Sequence, residues 1–389
     1  MKKYAYIGCL GFLAVITTEF GIIGILPQVA AHYQISIDKA GYLLSAFALV
    51  IALTGPFMTL LASGFDRKKI MLAALFVFLI TGVVSSFSPP FWVLMLVRIL
   101  PAFLQPVYIA TALAVAVAQA DKKHENELMG IVFSGVAIAM VTTVPFATWL
   151  ASLWSWEYSF MVQAVVSVVA MAGIYLVLPP MPIKEKKSYG SQLKILTRPT
   201  FIASTAMNFF MITAWFSTYS YFAEYLNKAK DMDNTMVSYM LLLFGSIGVF
   251  SNWIAGKMLN RNIAKTTAFF LSGTILVPIL LHFSGGNTIA TIVVIGIWGF
   301  LYSPSFLNAS TYMISSVPDS LEFANSLATS FGNLGVTLGT TIGGWIIITN
   351  GVASNPWIGL VFGILAYLMI GLRSFIERKD AGKIKNSVV

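Results

Sequence analysis

Thr17-Thr18-Glu19-Phe20-Gly21-Ile22-Ile23-Gly24-Ile25-Leu26-Pro27 places one carboxylate inside a run that is otherwise free of charge from Ala5 to Pro27. The run is long enough to cross a bilayer core of ~30 Å, which takes ~20 helical residues. Glu19 stands eight positions before Pro27, so at ~1.5 Å of rise per residue it lies ~12 Å from that end of the helix. An ionisable group at such depth costs at least ~2.5 kcal/mol, so the expectation is a proton, ion or substrate site facing a cavity.

The rest of the chain repeats the pattern. Of 389 residues, 58% are hydrophobic and 10% charged, with mean hydropathy +0.82, where a soluble domain averages ~25% charged. Apolar runs of helical length point to an all-α membrane bundle, since a transmembrane barrel alternates over shorter segments. The net charge of +9 is spread over many short loops and forms no patch for nucleic acid. Cys9 stands alone and His32, His124 and His282 are scattered, so neither a disulfide framework nor a metal site is expected. No cofactor is expected either. The first apolar run lacks a small-residue cleavage site, so it is read as part of the mature protein.

Breaks at charges, prolines and polar clusters give twelve candidate spans: 5–27, 41–63, 70–88, 91–118, 129–151, 158–178, 200–225, 235–256, 265–284, 288–315, 324–349 and 356–376. With both termini cytoplasmic, cytoplasmic segments carry 20 Lys and Arg while the outer loops carry only Lys39, Lys228 and Lys230. The positive-inside rule selects that orientation. Pro179 to Pro199, rich in proline and lysine, reads as a cytoplasmic linker between an N-terminal six-helix bundle (1–178) and a C-terminal one (200–389) that ends in a short tail. The two parts echo each other: Asp66-Arg67 corresponds to Asn260-Arg261. Gly135, Thr142-Thr143 and Trp149 correspond to Gly332, Thr340-Thr341 and Trp345. Parallel repeats of this kind predict a substrate site at their interface near mid-membrane, and alternating access.

Taken together, the twelve spans, the central loop, Arg67-Lys68-Lys69 between spans two and three, Arg98 in span four and Pro145 in span five resemble the major facilitator superfamily. Thr17-Thr18-Glu19-Phe20, Gly24-Ile25-Leu26-Pro27, Ser45-Ala46-Phe47-Ala48 and Gly55-Pro56 are similar to its bacterial drug:proton antiporter branch, which includes sugar-efflux and nucleoside-efflux permeases. The resemblance covers the whole chain. It implies a multidrug-type or metabolite exporter of the bacterial inner membrane, working as a monomer on a small molecule in exchange for protons. The family's loop pattern would put Gly at Thr59 and Asp at Ser63; here the acid is Asp66. The resemblance gives Asp66, Arg67 and Pro145 gating roles, with Asp66 and Arg67 facing span eleven when the cytoplasmic side is closed. Span five has Val144-Pro145 and Thr148 where the antiporter signature expects glycines, which leaves a proton-coupled uptake symporter or facilitator as the alternative.

Glu19 and Arg98 are the expected proton-coupling pair. Arg98 is seven residues into span four, ~10 Å deep, so the two can share a cavity. Burial favours the neutral carboxyl and a nearby guanidinium the charged one, so a change in either environment can load or release a proton. Trp215, Tyr219 and Phe222 fall on one face of span seven with Asn208 on the same helix, while Gln105 and Tyr108 on span four and Trp298, Tyr302 and Asn308 on span ten add apolar bodies with polar tips. Such a lining suits an amphipathic ligand. Glu224 is the next acid that could carry a proton. Gly332, Gly335, Gly339 and Gly343 recur every three or four residues, as close helix contact requires. No nucleophile, base and orienting group recur at catalytic spacing, so an enzyme is not expected.

Overall fold

The computed structural model describes residues 2–62, 64–118, 125–181, 190–317 and 321–387, and these form helices joined by short turns. Eleven helical segments are long and apolar enough to cross a membrane: Lys2–Tyr33, Ile37–Ala62, Arg67–Ser85, Phe91–Val117, Leu128–Leu153, Glu157–Val177, Asn234–Leu259, Ile263–Phe283, Thr288–Ile314, Phe323–Asn350 and Val352–Lys379. Between the sixth and seventh of these lies Pro199–Tyr219, a helix of 21 residues, ~31 Å long at ~1.5 Å per residue. Thr205, Asn208, Thr213, Ser217 and Thr218 make it more polar than the others, and all five are buried. It is span seven in the order used here. The surface is apolar, with Leu176 at 79% and Leu61 at 69% exposed, the arrangement lipid rather than water requires. The chain is an integral, multi-pass membrane protein.

Capping and proline positions explain where the helices start and break. The Asp66 carboxylate accepts from Lys69 N and Asp233 from Met236 N, each satisfying one of the amides a helix start leaves unpaired. Span one was expected to end at Pro27. Instead it breaks after Phe20, passes through a 3-10 turn at Ile23–Ile25 and resumes as Leu26–Tyr33. Pro27 sits in the first turn of the new helix, where its missing N–H costs nothing. Span five breaks at Thr142, three residues before Pro145, because the proline ring displaces the carbonyl four residues earlier, at Val141. Span ten breaks at Pro304 in the same way. The Phe300 carbonyl that Pro304 cannot serve accepts the Ser251 hydroxyl from span eight, so the freed backbone group is satisfied by a neighbour. The final helix also differs from expectation: it continues from Pro356 to Ser387 instead of stopping near 376. Of the expected 179–199 linker, 182–189 lies outside the described residues, and Gly190–Thr197 is a 3-10 helix.

In a bilayer, close packing and hydrogen bonds must supply what water supplies elsewhere, so small residues mark the contacts. Gly335, Gly339 and Gly343 of span eleven rest on span seven so closely that an added Cβ would stand 2.8, 2.6 and 2.3 Å from the carbonyl oxygens of Phe209, Thr213 and Ser217. Gly135 of span five meets the Cys9 carbonyl of span one in the same manner. Hydroxyl pairs accompany both contacts, Thr17 with Thr143 and Ser220 with Thr340. Gly332, which the sequence echo pairs with Gly135, is not part of such a contact: a Cβ there would meet only the Phe306 and Asn208 side chains, at 3.7 and 3.9 Å. Gly339→Leu should force spans seven and eleven apart. The opposing atoms are backbone and cannot rotate away, so the cost should reach or exceed the ~1–3 kcal/mol typical of overpacking. A lower thermal unfolding midpoint in detergent, with exposed Thr341→Leu unchanged, is the expected readout.

The first six and last six spans meet along spans two and eleven, from Gly55 beside Ser330 Oγ toward the end opposite the termini, where further contacts join them. Phe20 of span one meets Phe216 of span seven at 5.6 Å between ring centroids. Thr337 of span eleven donates to the Ser45 carbonyl of span two, and Gly245 of span eight would bring a Cβ within 2.4 Å of the Met140 carbonyl of span five. Further toward that end, the Tyr221 hydroxyl fills the space that a side chain on Gly41 of span two or Gly344 of span eleven would need. The bundle is sealed at the end opposite the termini.

Candidate functional site

Glu19, Arg98 and Lys230 are the three charged side chains buried among the described residues. Lys230 is accounted for at the far end: it donates to Leu281 O, Ser284 Oγ and Gly285 O, where the carboxyl end of span nine favours a cation. Glu19 and Arg98 remain in the centre, 3% and 2% exposed. They do not touch as an ion pair, and each has another partner. Gln105 Nε2 donates to Glu19 Oε2 at 2.5 Å. Arg98 donates to the carbonyls of Thr18 (3.1 Å) and Leu43 (3.4 Å) and lies over the rings of Phe47 and Phe160. Arg98 and Gln105 are seven residues apart on span four, about two turns, so one helix face presents both to span one. Arg98 Nη1 and Gln105 Oε1 have no partner. The arrangement is a carboxyl held by a neutral amide, with a guanidinium whose Nη1 has no partner on the same face of span four.

The expected lining residues divide into groups. Trp215 and Tyr219 stack at 4.9 Å and 6°, Phe222 meets Trp298 at 5.1 Å, and Trp298 meets Tyr302 at 5.8 Å. Phe244 of span eight joins these rings through Tyr219 and Trp298. In this conformation they are packed on one another and do not surround an open cavity, since each ring finds its apolar partner in the next. Phe20–Phe216 links this cluster to the residue beside Glu19. Trp215 Nε1 and Trp298 Nε1 are buried without partners, so polar valence is left over within the cluster, and Asn308 Oδ1 of span ten is likewise buried without a partner. Tyr108 is buried between spans one and four, its hydroxyl donating to Gly8 O at 3.4 Å. Asn208 lies apart, donating to the Ala328 carbonyl of span eleven. Glu224 falls on the short helix Phe222–Lys230 at the far end, away from Glu19.

The gating residues are placed as follows. Asp66 Oδ2 accepts from Met181 N, and Arg67 Nη1 donates to Ala114 O. Both therefore bind within the first six spans and the start of the linker in this conformation, and neither is seen against span eleven. Pro145 is buried at the break in span five. Sequence reasoning missed Tyr221, Phe216 and Arg373. Arg373 of the last span holds Tyr312 O (2.6 Å), Ser204 Oγ and Ser315 Oγ, joining spans seven, ten and twelve near the terminal end. No group of three His, Cys, Asp or Glu is placed to hold a metal among the described residues.

Comparison with known proteins agrees with this architecture. The sequence model described as Major Facilitator Superfamily matches residues 8–322. The inner membrane transport protein YdhP of Escherichia coli K12 is 27% identical over 365 residues, covering 93% of each chain. The MFS-type transporter YtbD of Bacillus subtilis is 27% identical over 378 residues, covering 94% of each. A probable sugar efflux transporter of Pasteurella multocida is 23% identical over 358 residues, covering 91% of this chain and 88% of its own. The crystal structure of the nucleoside transporter NupG superposes with a TM-score of 0.73 at 13% identity, covering 96% of this chain and 99% of its own.

Proposed function

The chain belongs to the major facilitator superfamily and is thus a membrane transporter, not an enzyme; from that premise we propose that it exports a small neutral molecule in exchange for protons. The observation that carries the reading is the buried Glu19 carboxyl, held by Gln105 and joined through Phe20–Phe216 to the aromatic cluster. Residues 1–178 and 200–389 rock against each other, and the terminal end faces the cytoplasm of a bacterial inner membrane. In the sealed arrangement substrate enters from the cytoplasm, parts the stacked rings and takes up the idle indole N–H groups and amide oxygens. Opening at the opposite end then exposes Glu19 to the outer medium, where it is protonated as substrate leaves. Return to the sealed state releases the proton inward.

Support for a neutral substrate comes from the balance of the idle groups. Trp215 and Trp298 offer donors, Gln105 and Asn308 offer acceptors, and beyond Glu19 no buried acid is present among the described residues to meet a cation. Flat rings with polar edges suit a sugar- or nucleoside-like compound, with an apolar face to stack and hydroxyls or amides at its rim. Relatives named as sugar efflux transporters are consistent with that class. Inside-out vesicles given sugars, nucleosides and cationic dyes, with and without an acid lumen, test the reading. Gradient-dependent uptake of a sugar or nucleoside is expected. Uptake confined to cationic dyes, or faster uptake with an alkaline lumen, would overturn it.

A further inference from the structure

Helix Phe222–Lys230 continues span seven beyond its break. It packs across the seam on the Ile23–Ile25 turn and the Leu26–Tyr33 helix of span one, and on its own side against span eight and the Val352–Ser354 turn. Its two ends are fixed differently. Just before its first residue, the Tyr221 hydroxyl donates to Thr340 O and fills the space left by Gly41 and Gly344. At its last residue, the buried Lys230 ammonium donates to Leu281 O at 2.9 Å, Ser284 Oγ at 2.9 Å and Gly285 O at 2.6 Å. An ammonium has three protons to give, so all are spent on the carboxyl end of helix Gly273–Phe283 and the turn after it. None is left for a substrate.

The first half of the chain carries the matching joint. Helix Leu26–Tyr33 follows the break in span one. Its last residue, Tyr33, donates to Pro89 O, and His32 Nε2 pairs with Ser88 Oγ at 2.9 Å. Tyr33 and Lys230, Gln34 and Asp231, and Ser88 and Gly285 each stand 197 residues apart. Gln34 and Asp231 share a left-handed backbone at φ 53°, and Ser88 and Gly285 share one at φ 52°. Such a backbone is uncommon outside glycine, so its recurrence marks the joint as a repeated element of the fold. In each half, the stub of a broken span is tied to the turn between that half's third and fourth spans.

We propose that Lys230 is the positioning residue of the seal: it fastens the far end of helix Phe222–Lys230 to the end of span nine, and so keeps the helix against span one and Tyr221 in its slot. Two features single out the ammonium. A helix of nine residues is too short to hold its own line, so its direction is set by what grips its ends. The second feature is an asymmetry between the halves. The residue 197 positions before Tyr221 is Gly24, so only the second half reaches across the seam with a ring at this position. Its joint alone is made of three charge-assisted bonds, which are stronger than the neutral ones that a phenol makes in the first half. Lys230 does this whatever compound is carried, and whether or not protons are exchanged.

The test uses a Cys9→Ser background and a membrane-impermeant thiol reagent added at the sealed end. One cysteine replaces Ser45, in the seam; in a separate chain another replaces Ala366, buried within the last six spans. Lys230→Met keeps the stem and removes the three donors. It should raise the reaction rate at position 45 roughly tenfold or more, as the loss of bonds to a charged donor implies, and leave position 366 unreactive. Lys230→Arg keeps the charge and the donors and should preserve most of the protection. Ser284→Ala removes one of the three acceptors and should give a smaller rise at position 45, which decides the matter if Lys230→Met does not insert. Equal protection of position 45 in the native, Lys230→Met and Ser284→Ala chains would overturn the proposal. So would equal loss of protection in the Lys230→Arg and Lys230→Met chains. A parallel rise at positions 45 and 366 would overturn it too, because Lys230 would then only hold the last six spans together.

Discussion

A Glu19→Gln protein is expected to fold, to insert and to bind neutral ligand, but to lose uphill transport entirely. Glutamine keeps the volume of the carboxyl and can still accept from Gln105, whose Nε2 reaches Glu19 Oε2 in the native chain. What it cannot do is carry a proton. One proton crossing a pH difference of one unit supplies ~1.4 kcal/mol, enough for a tenfold concentration ratio. Proteoliposomes of the native chain should therefore accumulate substrate up to about tenfold per proton and pH unit. Those with Glu19→Gln should stop at equal concentrations on both sides. Equilibration without accumulation distinguishes a lost proton from a lost fold, because a misfolded variant would not equilibrate substrate either. Accumulation by the variant at the native level would transfer the proton to another group, with Glu224 the next to test.

The second large effect is expected at the sealed end. Tyr221 is fully buried at the break after helix Pro199–Tyr219, and its hydroxyl donates to Thr340 O at 2.9 Å. It occupies a slot that exists only because residues 41 and 344 are glycines. A Cβ at either would stand 2.2 or 2.3 Å from the tyrosine oxygen. Gly41 lies on span two and Gly344 on span eleven, so the slot closes across the seam between the first and last six spans. Gly344→Leu should expel the ring and hold that end open. In a Cys9→Ser background, a cysteine at Ser45, buried beside Thr337 in the same seam, should react with a membrane-impermeant thiol reagent from that end at least ten times faster in the Gly344→Leu chain. Transport should fall by a similar factor, since a transporter that cannot seal cannot alternate. Unchanged reactivity would mean that Tyr221 merely packs there.

The spans were legible because the bilayer imposes one simple requirement, a sufficient apolar length, and even the polar span seven met it between Pro199 and the aromatic run. Glu19 was legible for the complementary reason: a charge in such a run is costly. Its true partner was harder to read. Arg98 drew attention as the other intramembrane charge, whereas Gln105 makes the contact. The seven-residue spacing that puts both on one face of span four was the available signal. Tyr221 could not be distinguished from Trp215, Tyr219 or Phe222, because its role depends on Gly41 and Gly344, which come from two other spans. Local spacing carries no information about such three-way contacts. The ring cluster was read as a lining and found as a stack, since sequence reports which side chains share a face and not whether the faces opposite are apart. Asp66 illustrates the reverse case. Its capping bond to Lys69 N follows from position alone, and its second bond, to Met181 N, reaches a residue beyond a whole run of spans.

Proton counterflow tests the central claim most directly. Liposomes holding the native chain, oriented with its terminal end toward the lumen, are loaded with the panel compound that it carries and a pH-sensitive dye, then diluted into buffer of equal pH. Exchange of substrate for protons predicts that the lumen acidifies as substrate runs out, at a rate set by substrate, and that Glu19→Gln abolishes the change. A lumen that turns alkaline as substrate leaves would mean that proton and substrate travel together, and a lumen whose pH does not move would mean that transport is not coupled to protons at all.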